Sequence, residues 1–151
     1  MKIKHISIAA VIASLALLCV SVFSQGSRPY RNGSVWSIAL IRVKPGMEVA
    51  YMNYLATGWK AEQEALKKEG LSLSYKVLST EGHTPGDWNL LLMTEFKSLA
   101  AMEANEQKAE AIGQHVAGDD QKQMQGYRDR AEIREVMGER LAREIVLEPR
   151  P

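Results

Sequence analysis

Apolar residues occur in two kinds of run along this chain, and their spacing sets the elements. Val35 to Val43 is apolar on both alternating faces. Val35, Ala39, Ile41 and Val43 share one face with Ser37, and Trp36, Ile38 and Leu40 share the other. That pattern predicts a strand covered on both sides, because a strand with one wet face alternates apolar with polar residues. Lys44-Pro45-Gly46 ends it, since Pro has no amide donor and Gly permits a reversal. From Met47 to Glu69 the period changes. Met47, Tyr51, Tyr54, Leu55, Gly58, Trp59, Glu62 and Leu66 follow steps of three and four, which predicts a helix with Glu62 as the only charge on its buried stripe. Lys60, Glu64, Lys67 and Lys68 form its solvent side, and Gly70 closes it.

Leu71 to Thr80 alternates more cleanly and reads as a second strand. Glu81 to Asp87 is a hairpin loop, and Trp88 to Phe96 is a third strand with a doubly apolar middle, Leu90-Leu91-Leu92-Met93. Ser98 is a good N-cap for a helix whose stripe is Leu99, Met102, Ala109, Ile112 and Val116. Gly118-Asp119-Asp120 breaks that helix and restarts a charged one, expected to run to about Leu141. Glu144 to Leu147 is expected as a short closing strand.

The order strand-helix-strand, strand-helix-(helix)-strand predicts an α+β, ferredoxin-like fold: a four-stranded antiparallel sheet with helices on one face. Helices on one face leave the other bare, yet strands one and three carry large apolar residues on both. Burial of one such side chain is worth about 1.5–3 kcal/mol. A second copy packing sheet to sheet supplies the missing cover, so a homodimer is expected.

The N-terminus reads differently. A basic head, Met1 to His5, precedes an apolar run from Ile6 to Phe23, and polarity returns at Ser24. This is the layout of a secretory signal with cleavage after Ser24, and it implies export to the periplasm or medium. An uncleaved membrane anchor is the alternative, since about 18 apolar residues approach a bilayer span. The expected organisation is a signal peptide over 1–24, a flexible linker over 25–34, one domain over 35–148 and a short tail over 149–151. The membrane is involved only through the segment before cleavage.

Composition excludes some partners. The 151 residues carry a formal charge of +1, and the basic residues interleave with acids, so nothing favours nucleic acid. Cys19 is the only cysteine and lies inside the apolar N-terminal run, so a cleaved chain has no thiol chemistry.

The apolar first strand, the passage Arg42-Val43-Lys44-Pro45-Gly46-Met47 into a helix, the passage Phe96-Lys97-Ser98 into the next, and the closing Arg143-Glu144-Ile145-Val146-Leu147 resemble the dimeric α/β-barrel superfamily over about Val35 to Glu148. The resemblance implies a dimeric barrel with its site in the cleft between sheet and helices. The superfamily includes cofactor-free monooxygenases of the antibiotic-biosynthesis type, haem-degrading enzymes, lactone isomerases, stress-response proteins and members without known activity. Shared fold does not transfer chemistry. The Asn and His that haem-degrading members resemble one another in have no counterpart on the first strand or between Trp88 and Gln114, although Trp88 itself matches.

Candidate chemistry is sparse. His83 with Glu81 and Asp87 sits in the hairpin loop and lacks the supporting shell a metal site needs, and His115 sits at a helix end where local carbonyls suit it. No catalytic residue, metal site or cofactor is assigned. Arg42, Ser74, Lys76, Asn89 and Glu95 are polar intrusions on strands built for burial. They would orient a polar or carboxylate-bearing ligand, or else form ion pairs at strand ends and a dimer rim. Trp36, Trp59 and Trp88, with Tyr51 and Tyr75, would stack an aromatic ligand or simply fill the core. The candidate ligand-binding set is therefore Trp36, Arg42, Trp59, Ser74, Lys76, Trp88, Asn89 and Glu95. Two readings stay open: an exported dimer that binds a small apolar or aromatic molecule, with or without turnover, and a non-enzymatic interaction module that uses the charged helix from Asp119 to Leu141.

Overall fold

The computed structural model describes residues 28–81 and 84–148. The expected signal segment, Cys19 and His83 lie outside them. The described residues divide into two compact units, one gathering residues 28–31 and 146–148, the other Asn32–Ile145. In the first, Arg31 Nε pairs with Glu148 Oε1 at 3.0 Å, and the Glu148 amide donates to the Pro29 carbonyl at 2.9 Å. The second holds the core and the candidate sites.

The elements are β1 (Tyr30–Val43), α1 (Glu48–Tyr54), a π-helical turn (Leu55–Trp59), α2 (Lys60–Lys68), β2 (Ser74–Ser79), β3 (Leu90–Phe96), α3 (Leu99–Ala104), α4 (Glu106–Ala117), α5 (Asp120–Ala131) and β4 (Arg134–Leu147). The strands form one antiparallel sheet in the order β2-β3-β1-β4, which is the ferredoxin-like arrangement expected from the sequence. Val35 pairs with Phe96 and Ile41 with Leu90 across β1 and β3, and Ser74 pairs with Glu95 across β2 and β3.

This register sorts the two faces of β1 that the sequence left equivalent. Ala39, Ile41 and Val43, with Leu90, Leu92 and Val77, pack beneath Tyr51, Tyr54, Leu55 and Trp59 of the first helical rod. Tyr51 and Ile41 are the largest fully buried side chains. The opposite face carries Trp36, Ile38, Leu40, Leu91, Met93 and Leu78, with no helix of the core cluster over it.

Four expectations change. The stretch given to the linker contains strand, because β1 begins at Tyr30. The first helix is continuous in backbone conformation but widens to a π turn at Leu55–Trp59. There Thr57 Oγ1 donates back to the Asn53 carbonyl at 2.7 Å, a bond known to loosen helices locally. The helix after Ser98 is interrupted at Asn105, whose side chain donates to the Ala101 carbonyl at 2.7 Å.

The fourth change is the largest. The charged helix stops at Ala131, and Glu132 to Leu141, expected as helix, is turn and strand. The Glu132 and Ile133 amides close short bonds to the Asp129 and Arg130 carbonyls, and the Lys44 amide then takes the Ile133 carbonyl to start the β4 edge. Gly138 at φ +158° is not helical.

Candidate functional site

The open sheet face gathers Trp36, Arg42, Ser74, Lys76 and Glu95 from the sequence-derived set, and it satisfies their polar groups locally. The Arg42 guanidinium donates to the Gly86 carbonyl at 2.6 Å and pairs with Glu135. Ser74 Oγ donates to Glu95 Oε2 at 2.5 Å. The hydroxyls of Ser74 and then Ser34 hold the Glu95 carboxyl below the usual range. Lys76 Nζ lies 5.1 Å above the Trp36 ring, a cation–π distance.

The remaining members do not join that group. Trp59 lies on the helix side, edge-on to Tyr75 at 5.4 Å, as part of the core. Asn89 Oδ1 accepts from the Val43 amide at 2.9 Å and pins the start of β3 to the end of β1. Trp88 is half-buried just before β3, and its amide donates to Asp87 Oδ1 at 2.8 Å. Among the described residues no group of three His, Cys, Asp or Glu is placed to hold a metal ion, and His115 is exposed in the last turn of α4.

A different constellation forms where the first helical rod meets the end of α4 and α5. It is an open cavity of about 540 Å³ lined by Tyr54, Gly58, Glu62, Lys122, Tyr127 and Arg130, among others. The π turn bears directly on it: Gly58 lies in that turn, and a Cβ there would stand 3.2 Å from the Tyr54 ring. Met124 and Tyr127 on α5 are each 56% exposed along its wall.

Its electrostatics differ from those of the open sheet face. The Arg130 guanidinium stacks over Tyr54 at 4.6 Å. Arg134, at the start of β4, is 92% buried between the rings of Tyr127 (5.3 Å) and Tyr51 (5.9 Å). Among the described residues neither arginine meets a carboxylate within ion-pair distance, and the Nε of each is buried without a hydrogen-bond partner. Glu62 is the nearest acid in charge terms. Burial raises its pKa, and Arg130 opposes the rise without cancelling it. Burial pushes the Tyr51 hydroxyl up to about 12 against the pull of Arg134, and Tyr54 is raised for the same reason against Arg130. Cation–π contacts are worth about 0.5–2 kcal/mol, while an unpaired buried charge costs several kcal/mol, so the aromatic faces offset only part of that cost.

Sequence reasoning put Tyr51, Tyr54 and Glu62 on the buried stripe, offered Tyr51 as an aromatic that stacks a ligand or fills the core, and gave Tyr54 and Glu62 no role. It missed Arg130 and Arg134 altogether. The usable signal was Glu62, a lone charge on an apolar stripe, followed far along the chain by Tyr127, Arg130 and Arg134 at helical spacing.

The chain matches no family of known proteins and no curated protein sequence. Among solved structures it is similar to a dimeric protein of unknown function with a ferredoxin-like fold from Bacteroides fragilis NCTC 9343. The identity is 17%, the match covers 78% of this chain and 98% of that one, and the TM-score is 0.35.

Proposed function

We propose that the protein is an exported homodimer whose helix-side cavity binds a small aromatic or largely apolar molecule. The cavity carries this reading. Its volume falls in the range of small-molecule sites, its walls are Tyr54, Tyr127 and Met124, and its few polar groups converge from three elements. Export rests on the N-terminal apolar layout, and the dimer on the apolar sheet face opposite the helices. The charged-helix interaction module is weakened, because the last third of the expected helix, Arg134 to Leu141, belongs to the edge strand β4.

The test is saturation-transfer NMR with a panel of neutral aromatic fragments, comparing the purified protein with Tyr127→Ala. Binding by the wild type and loss of about tenfold in the variant support the cavity. No binding, or binding unchanged by the substitution, rejects it. A second reading, turnover without a cofactor, is favoured by Glu62 alone, a carboxyl with raised pKa beside Tyr54. Unchanged ligand mass after long incubation with the protein would sink it.

A further inference from the structure

The ligand class follows from what the cavity leaves unsatisfied. Resting on the small-molecule reading above, we infer that the bound molecule is an aromatic acid whose anionic group is taken by Arg130, with Arg134 adding its charge from behind the Tyr127 ring. Arg130 lines the cavity and has a buried Nε without a partner. Arg134 is nine-tenths buried, has the same unmet donor, and touches the ring of Tyr127, whose side chain forms the cavity wall. Lys122 lines the same cavity, and Glu62 is the one acid lining it.

A guanidinium buried without a carboxylate is costly in an empty protein. Among the described residues Arg42 pairs with Glu135 and Lys108 with Glu69, in each case with side chains still partly in solvent. Arg130 and Arg134 differ in having a buried Nε without a partner, beside a cavity with aromatic walls. A carboxylate entering there gains charge-assisted hydrogen bonds from donors that have already lost their water. Glu62, the one acid among the lining residues, repels an ionised group, while Arg130 attracts it.

The experiment uses acid and amide pairs of one shape, benzoate with benzamide and 1-naphthylacetate with 1-naphthylacetamide, titrated into the full protein by calorimetry. The acid is expected to bind at least tenfold tighter than its amide. Arg130→Gln should abolish that preference while amide binding survives, and Arg130→Lys should restore part of it. Arg134→Met should reduce the preference less than Arg130→Gln does, whereas a purely structural role would weaken acid and amide alike. Circular dichroism of each variant checks that the fold is kept. Equal affinity for acid and amide in the wild type overturns the anionic-ligand inference and leaves the cavity reading standing. Failure of every acid and amide to bind overturns both.

Discussion

At the scale of single residues, the groups around the helix-side cavity carry costs of burial that can be measured. Arg134 is buried with no acid at ion-pair distance among the described residues. Exchange of a buried charge for an apolar side chain of similar volume is often neutral or stabilising by about 1–4 kcal/mol. Arg134→Met is therefore expected to leave urea-unfolding stability equal or raised in the ligand-free protein, although it weakens discrimination between acid and amide. A clear drop in stability would mean that the contacts with Tyr51 and Tyr127 outweigh the desolvation of the charge. Glu62 makes a related prediction in pH. Its folded pKa lies above its ordinary value, so between the two values the folded chain holds more proton than the unfolded chain. Stability then falls as pH rises through that window. Glu62→Gln removes this slope, so the variant should gain on the wild type as pH climbs from the carboxylate range toward neutrality. Equal pH profiles in urea titrations would contradict it. Neither role was legible in the sequence, because both depend on which distant elements close over the residue. Periodicity placed Glu62 on the stripe correctly, but only α4 and α5 bury it.

At the scale of elements, local signals succeeded where local chemistry decides the outcome. Ser98 caps α3 as read, its Oγ accepting from the Ala101 amide at 3.1 Å. Ser98→Ala should cost about 1 kcal/mol in thermal unfolding. Gly70 closes α2 at φ +70° with open space around it, so Gly70→Ala meets only backbone strain, about 1–2 kcal/mol. A silent substitution at either position would remove that capping account. The segment from Glu132 to Leu141 misleads for the opposite reason. Ile133, Val136 and Met137 fit helical steps as well as strand alternation, and charges fall on both faces. The decision comes from the edge of β1, where the Lys44 amide takes the Ile133 carbonyl some ninety residues away in sequence. Such pairing leaves no local mark except Gly138, whose φ of +158° favours glycine. The π turn was hidden likewise, since the stripe from Tyr51 to Leu66 survives the extra residue.

At the scale of the whole molecule, the proposed dimer rests on the open sheet face. Trp36, Ile38, Leu40, Leu91 and Met93 are only half-buried, and Leu78 is 45% exposed. Each is worth about 1.5–3 kcal/mol when fully covered, which makes a bare face of this kind a strong driver of association. The polar groups beside them are already matched within the chain, Arg42 to Glu135 and Ser74 to Glu95, so a partner meets an apolar centre with a settled rim. A two-fold interface of this type presents every residue twice, and a residue near the axis meets its own copy. Leu40→Glu at the centre of the face would then place two buried carboxylates together. Sedimentation velocity at micromolar concentration should show the wild type as a dimer and Leu40→Glu as a monomer. The circular dichroism of the variant should be unchanged, because Ile41, Leu90 and Leu92 pack on the other side of the sheet. Added salt should leave the wild-type dimer intact, since no ion pair need form across it. A wild type that sediments as a monomer would remove the explanation for the doubly apolar β1 and β3. The cavity among the helices would still stand, because every residue that lines it comes from one chain.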